Sequence, residues 1–241
     1  GQVQIVKNKK TTLFFDSGEP PNYRLSKDYQ SGPLSFEYSS DKDKIITNCG
    51  YGRKISKKIQ ILSKFTSGQS TLCIDDTSVV KFKKSNLINK AYGSTISNSF
   101  KIFDVERKED KINIEVSATH NAYLEKFGYL HKRKINFCKK NNDIDGSDYL
   151  IKKNGSSDVK FSIRFHLYPG INTIKTLSGK SILLQLNENK SWVFSSEELA
   201  IDLEKSLFFG KNKALSNKCI VIYGKTMDRD VNINWKLKKA S

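Results

Sequence analysis

The sequence is poor in several residue types on which functional sites often depend. Among 241 residues there are three histidines, four cysteines, four prolines and one methionine. The cysteines are far apart and none has the C-x-x-C spacing of a zinc site, so we expect buried free thiols rather than a metal centre or a disulfide framework. Few prolines and no long polar linker favour a single domain over residues 1–241. The cysteines are Cys49, Cys73, Cys138 and Cys219.

Long apolar runs are also absent, which excludes a membrane-spanning helix of ordinary length. The opening residues GQVQIVKNKK lack the apolar stretch and cleavage pattern of a signal peptide, and there is no initiator methionine. We therefore expect a fragment or a mature product in which Gly1 is a cloning remnant. No G-x-S-x-G, P-loop, dinucleotide or H-E-x-x-H motif occurs, so the commonest hydrolase, nucleotide and zinc-protease signatures are missing.

The charge balance is strongly basic, with a formal net charge of +17 and a pI near 9.6. Clustered cations release counterions and attract polyanions, so an acidic partner is expected. The alternative is codon bias, because 36 of the 42 basic residues are lysine, as an A+T-rich genome would produce. No region combines regular arginine spacing with a nucleic-acid motif, and we therefore expect no nucleic acid partner.

Many short alternating segments at hairpin spacing, with almost no βαβ signal, predict an all-β antiparallel sandwich or supersandwich of stacked sheets with little helix. The segment KKIQILSKF suits either a strand or a short helix. NNDIDGSDYL and KKNGSSD are rich in turn formers and are interpreted as turns. Asp75-Asp76 could be a metal or acid pair, but a turn is favoured because adjacent strand residues point to opposite faces. The predicted strands are TTLFFD, PLSFEYS, KIITNCG, STLCI, SVVKF, FSIRFHL, KSILLQLN, KSWVFSS, IDLEKSLFFG, KCIVIYG and VNINWKL, with a hairpin in SFKIFDVERKEDKINIEVSATH whose turn is residues 107–110.

One hairpin, residues 111–137, carries two of the three histidines. Its first strand alternates so that His120 falls on the apolar face, and a turn at Phe127-Gly128 leads to a second strand on which His131 and Arg133 share a face. His166 follows Arg164 by two residues in FSIRFHLYPG, on the face opposite the apolar residues. Side chains two apart on one strand face are about 7 Å apart.

Two interpretations of these histidines stay open. A histidine on an apolar strand face is commonly a core residue whose ring hydrogen-bonds to the protein. With Tyr123 nearby, histidine and tyrosine could instead exchange protons while arginine neutralises a carboxylate, which is the set of groups needed to remove a proton beside an acid group. The second interpretation predicts that the imidazoles and guanidiniums meet at a shared sugar-facing rim. Its candidate residues are His120, Tyr123, His131, Arg133, Arg164 and His166.

A series of motifs runs through nearly the whole chain in one order: DSGEPP, SGPLSFE, NCG, QSTLCIDD, HNAYLEKFGYLHKRK, RFHLYPG, SWVF, LEKSLFF and Trp235-x-Leu237. This series resembles the C-terminal β-domain of the heparinase II/III-like proteins, especially those of alphaproteobacterial type. The resemblance implies a supersandwich that normally follows an α/α-toroid domain, here outside the chain. It also implies β-elimination on acidic, uronate-containing polysaccharide, in the cell envelope or periplasm of bacteria.

The resemblance assigns His120, Tyr123 and His131 to catalysis and Arg133, Arg164, His166, Gln30 and Gln69 to substrate binding. The chain departs from the family pattern at two places. Where relatives carry H-x-H-x-D, it has Asp28, Gln30 and Gly32, and where they carry a histidine before the T-L-x-I-D-D strand, it has Gln69. Glutamine takes up no proton near neutral pH and is a poor zinc ligand, so the structural zinc of some members is not expected here.

Two hypotheses of different classes follow. The chain is either the β-domain of a polysaccharide lyase, inactive without its toroid, or a non-catalytic carbohydrate-binding or scaffold module with a degenerate site.

Overall fold

A computed structural model describes residues 2–83, 95–155 and 158–240. In these ranges the chain forms two antiparallel sheets of eight strands each, which confirms the predicted all-β architecture. The first sheet contains β1 (Val3–Asn8), β2 (Thr11–Asp16), β3 (Phe36–Ser40), β4 (Asp43–Thr47), β5 (Leu72–Ile74), β10 (Lys160–Leu167), β14 (Ile201–Gly210) and β15 (Lys213–Lys225). The second contains β6 (Ile102–Glu109), β7 (Asn113–His120), β8 (Tyr129–Cys138), β9 (Ile144–Lys152), β11 (Asn172–Lys175), β12 (Ser181–Asn187), β13 (Lys190–Ser196) and β16 (Val231–Lys239).

The strands that carry the candidate histidines and arginines, β7, β8 and β10, are not edge strands: each has a neighbouring strand on both sides. The first sheet runs β1-β2-β3-β4-β10-β15-β14, with β5 also paired to β10, and the second runs β11-β12-β13-β16-β9-β8-β7-β6. Alternation explains which side chains enter the core, because successive residues of a strand point to opposite faces. In β16, for example, Ile233, Trp235 and Leu237 are buried. One continuous apolar core joins the inner faces of the two sheets.

Helix is scarce in the described residues. The ambiguous segment KKIQILSKF forms a short helix, α1 (Lys57–Leu62), because Ser56 caps it by accepting a hydrogen bond from the Ile59 amide at 3.2 Å. A single turn, α2 (Leu124–Phe127), precedes β8 and ends at Gly128, which has the left-handed φ of 77° that favours glycine. No helix in the described ranges has the length and apolarity that a bilayer span requires.

Several local predictions were wrong. NNDIDGSDYL is not a turn region: β9 begins at Ile144 and pairs with β8 and β16. The turn placed at residues 107–110 comes later, because Arg107 still pairs with Val116. The segment SVVKF, residues 78–82, forms no strand and has only an isolated bridge between Phe82 and Ile96. Ser156 and Ser157 of the predicted KKNGSSD turn lie outside the described residues.

Asp75 and Asp76 form the predicted turn after β5. Both residues have the left-handed φ of 48° that aspartate tolerates in turns. The four cysteines are free thiols, and three of them are buried while Cys138 is partly exposed.

Candidate functional site

A buried ion pair lies at the centre of the sandwich, between neighbouring strands of the second sheet. Arg133 of β8 and Asp148 of β9 are register partners. Arg133 donates from Nε to Asp148 Oδ1 at 2.8 Å and from Nη2 to Asp148 Oδ2 at 3.0 Å. Both side chains are 0% exposed. Burial alone would raise the pKa of Asp148, but Arg133 and His131 lower it to about 2, so the carboxylate is charged.

Two histidines extend this pair in a chain of hydrogen bonds. The Ala122 amide donates to His120 Nδ1 at 3.2 Å, so the ring proton of His120 lies on Nε2 and is donated to His131 Nδ1 at 3.0 Å. His131 then donates from Nε2 to Asp148 Oδ1 at 2.7 Å. Burial lowers the pKa of both imidazoles, and for His120 the neighbouring His131 and Arg133 lower it further. Both rings are therefore neutral near pH 7.

The guanidinium of Arg133 also connects the two sheets. Its Nη1 donates to the carbonyls of Leu34 at 2.9 Å and Ser70 at 2.7 Å, which belong to segments flanking strands of the first sheet. Phe36, Phe165 and Trp235 surround it with ring centroids 5.7 to 5.9 Å away, a cation–π arrangement. Trp235 donates from Nε1 to Asp148 Oδ2 at 2.9 Å, so every lone-pair direction of the carboxylate is used.

The expectation that these side chains meet at an accessible rim was wrong. His120, His131 and Arg133 are 0% exposed because their strand register points them between the two sheets. Tyr123 is also buried, with its hydroxyl donating to the Leu72 carbonyl at 3.1 Å. The arrangement matches the alternative of core histidines that hydrogen-bond to the protein. The catalytic roles assigned to these residues stay predictions.

Arg164 and His166 lie elsewhere, on the outward face of β10. His166 is covered by residues 66–70, donating from Nε2 to the Ser67 carbonyl at 3.0 Å and accepting from Ser206 Oγ at 2.9 Å. Burial lowers its pKa to about 4. The Arg164 side chain is mostly buried, and it donates to Ser162 Oγ and, at 3.2 Å, to Asp76 Oδ1. These two residues therefore do not join the cluster around Arg133.

Gln30 and Gln69 do come together, beneath the end of α1. Both donate from Nε2 to the Ser63 carbonyl, at 2.8 and 3.0 Å, and Gln30 also donates to the Gly50 carbonyl at 2.7 Å. Cys49 Sγ lies 3.8 Å from the Gln69 amide nitrogen. The two glutamines therefore hold the α1 segment against the first sheet.

This neighbourhood does not fit the zinc that some heparinase II/III-like proteins carry. The two amide nitrogens that face the Ser63 carbonyl are donors without a free lone pair. Burial raises the pKa of the Cys49 thiol to about 12, so it stays protonated. In the described ranges no group of three histidine, cysteine or carboxylate residues could hold a metal ion.

The surface above the glutamines is basic, and we call it the α1 patch: Arg53, Lys54, Lys57 and Lys58. All four residues are exposed, and no acidic residue occurs between residues 53 and 64. The nearest carboxylate is that of Asp28, which accepts from the Tyr51 hydroxyl at 2.6 Å and lies 3.4 Å from Arg53 Nη1. The patch therefore keeps a net positive charge.

The sequence interpretation missed Asp148, the residue that organises the buried network. The available signal was alternation in Ile144, Gly146, Asp148 and Leu150, which are all buried. Aspartate and glycine are depleted in strands, and the segment NNDIDGSDYL contains several of them, so it was predicted to be a turn. The requirement for glycine at 146 is also long-range, because a Cβ there would lie 2.1 Å from Trp235 Cζ2.

Comparison with known proteins agrees with this architecture. The sequence profile of the family described as "Heparinase II/III-like, C-terminal" matches residues 1–236. The chain belongs to this family. The family match confirms the resemblance inferred from the ordered motifs.

Individual relatives of this heparinase II/III-like domain are distant in sequence. FtsZ-localized protein C of Caulobacter vibrioides is 24% identical over 234 residues, which cover 93% of this chain and 40% of that protein. A mutant of heparan sulfate lyase HepC from Pedobacter heparinus superposes with a TM-score of 0.76 at 14% identity, over 96% of this chain and 33% of the lyase. Heparinase III gives 0.74 at 11% identity, over 99% and 35%. The chain thus spans between a third and two fifths of the length of these relatives.

Proposed function

We propose that this heparinase II/III-like domain binds acidic, uronate-containing polysaccharide through the α1 patch and does not cleave it alone. The observation that carries the proposal is the position of the patch. Four exposed cations lie on the segment that Gln30 and Gln69 hold in place. These two glutamines stand where the family resemblance expects histidines. Closely spaced cations attract carboxylates and release counterions on binding.

The absence of turnover is supported by the titration of the available groups. General acid–base catalysis needs a group whose proton transfers at the working pH and reaches the substrate. His120, His131 and His166 are buried with lowered pKa values, and Gln30 and Gln69 do not titrate. Any cleavage by the parent protein would then depend on groups supplied by the expected α/α-toroid domain. That domain and an envelope or periplasmic location stay predictions.

Binding is tested with oligogalacturonate and heparin-like oligosaccharide by isothermal titration calorimetry at two salt concentrations. The triple variant Lys54→Gln/Lys57→Gln/Lys58→Gln should lose at least tenfold in affinity and show a shallower salt dependence. A triple variant of equal charge change, Lys111→Gln/Lys140→Gln/Lys238→Gln at exposed positions of the second sheet and its turns, serves as the control. If both variants lost the same affinity, binding would depend only on the overall charge of the domain. That result would overturn the proposal that the α1 patch is the binding site.

Turnover is tested separately, on the domain and on the full-length protein, with uronate-containing polymers. The unsaturated product of β-elimination has a new ultraviolet absorbance. We expect none from the domain alone. Product formation by residues 1–241 in isolation would contradict the proposal.

A second candidate comes from the relative in Caulobacter. Its identity of 24% exceeds the 11–14% of the solved lyases, and its name describes localisation with FtsZ. A scaffold role at the division site is therefore the alternative to glycan binding. A fluorescent fusion of the full-length protein in Caulobacter vibrioides would show a mid-cell band under this alternative, whereas uniform fluorescence would exclude it.

A further inference from the structure

A groove of about 560 Å³ opens on the outward face of the first sheet, at the ends of β1, β2 and β3. The pairing register explains its lining. Val3 pairs with Asp16 and Phe14 pairs with Glu37, so these four side chains share the outward face. The DSGEPP motif, which begins at Asp16, and Tyr29 complete the walls.

An exposed aromatic ring forms part of the groove. Phe14 is 42% exposed and Val3 beside it is 49% exposed, although residues of these types usually enter the core. An apolar wall with a few convergent polar groups is the usual composition of a small-molecule site. The ring of Phe14 also offers a cation–π surface to a positively charged ligand.

Polar groups with unused hydrogen-bonding capacity face the same space. Asp16 accepts from the Gly18 amide with Oδ1 at 3.0 Å, and Glu37 accepts from the Asn48 amide with Oε1 at 3.2 Å. The other oxygen of each carboxylate has no hydrogen-bond partner among the described residues. The hydroxyl oxygen of Tyr29 has less than 1 Å² exposed and also lacks a partner there. With so little of its surface exposed, this hydroxyl belongs to the wall behind the groove, and the two partly exposed carboxylates are the polar groups that a ligand can contact.

The charge of the groove is opposite to that of the chain. Among the described residues no lysine or arginine lines it, while Asp16, Glu19 and Glu37 do, in a protein of net charge +17. Glu19 forms an ion pair with Lys101 at 3.4 Å, which leaves Asp16 and Glu37 to attract a ligand. Burial raises the pKa of Asp16 to about 6, so the site gains negative charge between weakly acidic and neutral pH. A uronate would be repelled here and an ammonium group attracted.

We propose that this groove binds an amino-sugar residue, with the pyranose ring against Phe14 and its ammonium group between Asp16 and Glu37. The site is separate from the α1 patch. It therefore goes beyond the proposed binding of acidic polysaccharide, and either proposal can fail alone.

The experiment compares three tetrasaccharides by calorimetry on the folded domain at pH 7: glucosamine tetramer, its N-acetylated form and tetragalacturonate. We expect the glucosamine tetramer to bind at least tenfold more tightly than the other two. Asp16→Asn and Phe14→Ala should each lose tenfold or more, and Phe14→Trp should retain binding. Leu207→Ala, an exposed apolar residue at 47% exposure on β14, is the matched control for Phe14.

Circular dichroism and thermal unfolding of each variant separate loss of binding from loss of folding. Equal binding of the three oligomers, or unchanged affinity in both Asp16→Asn and Phe14→Ala, would overturn the proposal. Tight binding of the N-acetylated form would also overturn it, because that sugar has no ammonium group. The lysine variants of the α1 patch should leave glucosamine binding unchanged.

Discussion

Arg133 donates two parallel hydrogen bonds to Asp148, and both side chains are fully buried from solvent. The pair joins β8 to β9, and the remaining nitrogen of the guanidinium reaches backbone carbonyls beside the first sheet. A polar cluster of this kind has a high desolvation cost, which the paired charges and hydrogen bonds offset. The cluster links the second sheet to the Leu34 and Ser70 carbonyls beside the first sheet.

Breaking this pair should therefore destabilise the domain strongly. We expect Arg133→Met to lower the free energy of unfolding by about 3–5 kcal/mol, because Asp148 would stay buried without its partner. Arg53→Met is the control, since Arg53 and its partner Asp28 are both exposed and such pairs contribute about 0–1 kcal/mol. Urea denaturation measures both variants. A similar loss of unfolding free energy in the two variants would show that the buried pair stabilises the domain no more than an exposed pair does.

The pH dependence of stability should reflect His166. Its pKa is lowered from 6.5 to about 4. Between pH 4 and pH 6.5 the imidazole is therefore protonated in the unfolded chain and neutral in the folded chain. Stability from this residue is fully present above about pH 6.5 and falls as the pH drops toward 4, by roughly 3 kcal/mol in total. His166→Gln keeps a donor for Ser67 and an acceptor for Ser206 but cannot titrate.

The measurement is urea unfolding of both proteins at intervals from pH 4.5 to pH 7.5. We expect a smaller decline in the variant, although His120 and His131 still contribute a decline of the same sign. An identical slope in the two proteins would contradict the assignment.

Close packing at Gly146 gives a third prediction. Gly146 pairs with Trp235, and an added Cβ would lie 2.1 Å from the indole ring. Gly146→Ala should lower the free energy of unfolding by about 1–3 kcal/mol, because the ring must move in a filled core. Asp145→Ala on the outward face of the same strand should change stability much less. Near-ultraviolet circular dichroism would report the displaced tryptophan.

Much of the fold could be predicted because alternation is a local property. The strands carrying His120, Arg133, Phe165 and Trp235 were predicted from period-two patterns. For Phe165 and Trp235 the pattern also indicated the buried face, whereas His120 and Arg133 were expected at an accessible rim and are buried instead. β9 was missed because its inward positions include a glycine and an aspartate, which favour turns when considered alone. Only pairing with Trp235 and Arg133 makes those residues suitable for a strand.

The site was harder to predict than the fold, since it depends on contacts between distant segments. Gln30 and Gln69 are separated by 39 positions and meet on one carbonyl of a third segment. The groove at Asp16 depends on the outward face of three strands, and β1 was not among the predicted strands. No local pattern encodes such convergence.

The ionised carboxylate of Asp16 should reduce the stability of the folded domain at neutral pH, because burial disfavours its charged form. Its pKa is raised from 3.8 to about 6, so the folded chain holds a proton that the unfolded chain has lost in that range. The contribution of this residue to stability is therefore fully present below about pH 4 and is lost as the pH rises toward 6.

The substitution Asp16→Asn removes the charge with little change in hydrogen bonding, because the amide oxygen of the new side chain can still accept from the Gly18 amide. At pH 7.5 we expect the variant to be more stable by roughly 1–2 kcal/mol, allowing for partial exposure of the side chain, with no gain at pH 4. Urea unfolding at the two pH values measures this difference. An equal effect at both would show that ionisation of Asp16 is not its origin.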